Sequence, residues 1–92
     1  MAQIIKTDGT RIEVSPKNGK DFSLEELQEI VGGYIEIVEC EKNIMVINEE
    51  GKLMNLPFNH IATLEWYRAC PWMCCADIIV GDVLLCKSNE VK

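Results

Sequence analysis

The sequence predicts an α+β fold: a single domain over residues 1–92, in the order β-β-α-β-β-α-β, with a mixed, mostly antiparallel sheet and both helices on one face. Three observations lead there. Short strand-like runs fall in pairs on either side of helical stretches. Each helical stretch is preceded by a capping residue. A chain of 92 residues builds one hydrophobic core and is too short for two independent ones. Helices laid on a sheet then bury the apolar side of every element. The leading elements also follow the order of a β-grasp fold, which is the alternative arrangement.

Residues 2–16, AQIIKTDGTRIEVSP, read as a hairpin. Ile4 and Ile5 lie in the first strand, Asp8-Gly9 make the turn, and Arg11–Val14 alternate polar with apolar. Pro16 and Asn18-Gly19 then punctuate the chain. In FSLEELQEIVGG, Ser23 is the N-cap and Glu26 its capping-box partner, while Phe22 can staple onto Leu27. Leu24, Leu27, Ile30 and Val31 form the apolar stripe, and Gly32-Gly33 end the helix. Residues 34–40 make a strand with Ile35 and Ile37 on one face and Tyr34, Glu36 and Val38 on the other. Ile44 to Ile47 are continuously apolar, the pattern of a central strand covered on both faces. Asn48–Gly51 form a turn in which Gly51 is free to take positive φ. Asn59 caps a second helix over residues 60–69, which stops before Pro71. Ile78–Val80 and Val83–Cys86 are the last strand pieces, interrupted by Gly81-Asp82.

Charge narrows the functional classes. The formal net charge of −6 and the scattered lysines disfavour a nucleic-acid partner, which requires a basic patch. They suit solubility, a basic protein partner, or a small anionic ligand held by backbone amides and local cations. Neither a long apolar run nor an export signal stands out, so membrane association is not expected and the expected compartment is the cytoplasm. Five cysteines in such a chain read as buried reduced thiols.

The one stretch that looks reactive is CPWMCC, residues 70–75. Cys70 and Cys74 stand at a zinc-compatible spacing, and Cys75 could add a third thiolate, which gives a thiol or zinc module as an alternative function. No second clean pair accompanies them. His60 starts the helix that ends near Cys70, about 15 Å away at the helical rise per residue, so one ion cannot join the two. A thioredoxin-like centre would place its cysteines at a helix start, and these follow a helix. His60 is the only histidine, and a hydrolase built on it is a further alternative that lacks a nucleophile elbow. No phosphate-cradling glycine motif is present, and no cofactor is expected.

Four pieces of sequence carry a family resemblance: VGGYIE (31–36), NEEGKL (48–53), LPxNxxAT (56–63) and DxIVGD (77–82). With them the chain resembles a family of small proteins known only as a domain of unknown function, common in phages, plasmids and other mobile elements. The resemblance spans about residues 3–87. It implies an accessory or host-takeover role in a bacterial host and argues against a housekeeping enzyme. CPWMCC falls in connecting sequence outside the shared pieces, whereas Asn48, Asn59, Thr63, Asp77 and Asp82 fall inside them.

The function expected is that of a small non-enzymatic binding protein. Its ligand would be a host protein, or a small anionic metabolite or nucleotide signal, held by a homo-oligomer. Asn48, Asn59 and Thr63 are the polar binding candidates, with Trp66 and Tyr67 as aromatic walls. Each also has an ordinary structural job available: turn asparagine, N-cap, helix threonine and core aromatics.

Overall fold

Strands β1 (Ala2–Ile5) and β2 (Arg11–Val14) pair as the expected hairpin in the computed structural model, which describes residues 2–40, 42–73 and 77–91. Helix α1 (Leu24–Val31) follows, and its start is fixed by the capping box read from sequence. Glu26 N–H donates to Ser23 Oγ at 3.2 Å, and Ser23 N–H donates back to the Glu26 carboxylate at 3.0 Å. Gly32 ends the helix in the left-handed region at φ 80°, where a Cβ would be strained. Phe22 and Leu27 are buried in one cluster, so the staple forms as well.

The cap makes a measurable prediction. Ser23→Ala should lower stability by about 1 kcal/mol in urea unfolding. Hydrogen bonds from the Ser23 and Lys17 N–H groups hold the Glu26 carboxyl below its ordinary 4.5. A carboxyl depressed in the folded state stabilises the fold above its unfolded pKa, and that help fades as pH falls through the folded value. Glu26→Gln should therefore flatten the acid limb of stability against pH.

Strands β3 (Ile35–Cys40) and β4 (Asn43–Asn48) form a second antiparallel hairpin. Helix α2 (His60–Ala69) and strand β5 (Val83–Lys87) complete the main elements, with short 3-10 turns at Pro71–Met73 and Ser88–Glu90. The strand order is β2-β1-β5-β4-β3, so β5 sits at the centre although it is last in sequence. The α+β class and the order of elements are those expected.

Two features of the arrangement differ from expectation. All four pairings between strands are antiparallel, β1 with β5 included, so the sheet is not mixed and the β-grasp alternative drops out. The helices also lie on opposite faces rather than on one. Ile44, Val46, Leu84 and Cys86 pack with Leu27 and Val31 of α1, while Met45 and Val83 pack with Ala62 and Trp66 of α2. Alternation along a strand sends neighbours to opposite faces, so an unbroken apolar run needs a cover on each side. A single helical layer would have left Met45 and Val83 in water.

Two local readings change for steric reasons. Gly51 does not take positive φ; the left-handed residue of that loop is Asn55, at φ 55°. Gly51 instead admits Val80, whose Cγ2 would stand 2.9 Å from an added Cβ. Of the expected Ile78–Val80 strand only Val80 pairs, through a single bridge to Phe58.

Candidate functional site

A cleft of about 360 Å³ lies on the α2 side of the sheet, between the β3–β4 hairpin and residues 77–80. Buried or half-buried Val38, Ile47, Trp66, Ile79 and Val80 form its apolar floor. Exposed Glu36, Glu49, Lys52 and Asp77 line its mouth, three carboxylates against one ammonium. Lys52 is already engaged, ion-paired with Asp77. That pair and the Ile78 N–H hold the Asp77 carboxyl below its usual range, so it stays ionised at neutral pH. The site is therefore an apolar trough with an acidic rim, suited to a group that is cationic at one end and greasy along its length.

The five binding candidates divide between this cleft and the frame around it. Trp66 and Asn48 line the cleft. Asn48 is buried and committed to the frame as well: Nδ2 donates to Val31 C=O at 3.1 Å, and Oδ1 accepts from Glu50 N–H at 2.8 Å. Asn59 is fully buried. Its Nδ2 donates to Ile5 C=O at 2.9 Å and Gly81 C=O at 2.8 Å, while Oδ1 accepts from Ala62 N–H at 3.0 Å. Thr63 Oγ1 donates to Asn59 C=O at 2.8 Å and accepts from Ile79 N–H at 2.9 Å. Tyr67 stacks against Trp66, with centroids 6.3 Å apart, and its hydroxyl donates to Asp77 C=O. Asn59, Thr63 and Tyr67 thus hold residues 77–81, one wall of the cleft, against α2.

Of the residues that give the cleft its charge, Glu36, Glu49 and Lys52 are not binding candidates in the sequence, and Asp77 stands out there only as a polar residue of the family resemblance. In the sequence Glu36 reads as a strand position beside Tyr34 and Val38, and Glu49 as part of the Asn48–Gly51 turn. Nothing in their spacing signals convergence, because three separate segments bring them together. Asp77 and Lys52, far apart in sequence, meet in space.

Among the described residues, Cys40, Cys70 and Cys86 are buried thiols. Cys70 is buried at the end of α2, its Sγ 3.7 Å from Glu39 C=O. Burial, helped by nearby Glu90, pushes the Cys86 thiol up to about 11. Native protein treated with iodoacetamide at pH 8 should keep Cys86 unmodified by peptide mass mapping, with full labelling in denaturant. Rapid native labelling would refute the packing described. Cys74 and Cys75 lie outside the described residues; among the described residues no three His, Cys, Asp or Glu side chains converge on a metal position. Trp72 of the same stretch is 77% exposed. His60 stands exposed at the start of α2 with its ring edge-on to Phe58, centroids 5.6 Å apart.

Comparison with protein families decides the affiliation: the model of a domain of unknown function, DUF3846, matches residues 2–92. The chain belongs to the DUF3846 family. Comparison with curated proteins found no match, and neither did comparison with solved structures. In this DUF3846 chain several polar side chains act as staples. Asp82 accepts from Thr7 N–H at 3.1 Å, Asp77 from Ile78 N–H at 2.8 Å, and Asn48, Asn59 and Thr63 bind main chain as described. No helix is long and apolar enough to cross a membrane among the described residues.

Proposed function

We propose that this DUF3846 protein is a small non-enzymatic binding module, an accessory protein of a phage or another mobile element, that engages a basic group of a host protein in the cleft. The observation that carries the reading is the excess of carboxylates around an apolar floor, with the one lysine already paired. Such a lining favours a cation over the small anionic metabolite or nucleotide considered from composition. The accessory role is supported by the resemblance in sequence. The non-enzymatic reading is supported by the chemistry: the Cys86 thiol is protonated, and His60 packs on an aromatic ring.

Trp66 lines the cleft and serves as the reporter. The chain has two tryptophans, so Trp72→Phe leaves Trp66 as the only tryptophan, excited selectively at the red edge of its absorption. Titration of that variant with argininamide should give a saturable shift in emission, weakened when Glu36 and Glu49 are both changed to glutamine. A saturable response to a nucleoside monophosphate, with none to argininamide, would reverse the assignment.

A further inference from the structure

Strand β3 lies at an edge of the sheet, and part of its main chain is unpaired. Glu49 N–H donates to Tyr34 C=O at 2.9 Å, which makes Tyr34 and Glu49 a hydrogen-bonded pair. In an antiparallel ladder such pairs alternate with non-bonded ones. Glu36 and Val38 therefore bond to β4, while the N–H and C=O groups of Ile35 and Ile37 point away from it. Among the described residues nothing hydrogen-bonds to those outward groups. Farther along, the Cys70 thiol already meets Glu39 C=O, so the open length centres on Ile35 and Ile37.

The cleft opens along this same length. Glu36 and Val38 line it from the face they share. Ile37 also lines it, although its side chain belongs to the other face, so its main chain is what reaches the cleft.

We propose that this edge accepts a basic, extended segment of a partner protein as an additional strand, with one arginine or lysine side chain entering the cleft. The proposal rests on the cleft being a cation site. Alternate side chains of an added strand fall on the cleft face, opposite Glu36 and within reach of Glu49 and Asp77. The intervening side chains lie beside Ile37, which is 48% exposed and gains an apolar neighbour. Charge decides between occupants. A second copy would bring another net charge of −6 and its own Glu36 and Glu39 to the seam. Acidic side chains on an open edge deter such self-pairing and attract a basic strand.

The test uses a blocked peptide of alternating valine and arginine and two N-methylated versions, one methylated on every valine amide, the other on every arginine amide. Only one set of amides faces β3 in an added strand. One version should therefore bind at least about tenfold more weakly than the parent, and the other about as well. Hydrogen exchange at the Ile35 and Ile37 amides should slow on binding, with Glu36 and Val38 unchanged. Equal binding by both versions would overturn strand addition; the cleft reading would survive if argininamide still shifts Trp66. Failure of both the peptide and argininamide would end both readings. A dimer of the free protein by sedimentation, with Ile35 and Ile37 already protected, would assign the edge to a second copy and also overturn the proposal.

Discussion

Asn59→Ala should lower the unfolding free energy by about 3–5 kcal/mol, since it removes an N-cap and the side-chain hydrogen bonds to two carbonyls in a buried site. For a domain whose whole stability is about 5–15 kcal/mol, that is enough to unfold much of the population. The side chain joins three places at once: the end of β1 through Ile5, the bend before β5 through Gly81, and the first turn of α2 through Ala62. Urea denaturation followed by circular dichroism measures the loss. Asn59→Asp separates the roles, because aspartate caps a helix as well as asparagine does. A carboxylate there would face the Ile5 and Gly81 oxygens in a dry site, and its pKa would rise. A carboxyl raised in the folded state weakens the fold most above that pKa, and the deficit shrinks as pH falls toward the unfolded value. The aspartate variant should therefore be nearly as unstable as the alanine variant at pH 7 and partly recover in acid. A loss near 1 kcal/mol for both variants, the size of a cap alone, would show that the carbonyls find other donors.

Trp66→Ala should cost about 3–5 kcal/mol, the range for truncating a large buried aromatic. Trp66 is the floor of the cleft and part of the cluster with Met45, Ile79 and Val83. Its removal joins the cleft to the interior of that core, so part of the new space is open to solutes. Added indole should then raise the Tm of the variant and leave the wild type unchanged, as a ligand that binds only the folded state does. An unchanged Tm with indole would mean that the core collapses into the gap.

The local elements were legible because each rests on contiguous residues. The Ser23–Glu26 box, the Gly32 stop and the Asn59 cap are written within a few positions, and each formed as read. The distribution of the helices was legible too, in the unbroken run Ile44–Ile47, although that clue had been set beside a one-faced architecture that contradicts it. Asn59 and Thr63 show what a sequence hides. A polar residue at a helix start looks the same whether its free side binds a ligand or braces another segment, and only the tertiary partners Ile5, Gly81 and Ile79 decide. The cleft was least legible, since Glu36, Glu49 and Asp77 come from separate segments whose meeting depends on strand order.

That strand order also sets a timetable for synthesis. β1 and β4 flank a gap that only Val83–Lys87 can fill. As the polypeptide leaves the ribosome, the β1–β2 and β3–β4 hairpins emerge early, with one bare edge of each waiting for a strand still to be translated. Both cores draw on β5 as well, Leu84 and Cys86 on one side and Val83 on the other. The sheet thus stays unfinished until Val83–Lys87 has been translated, and the insertion of that one strand closes it.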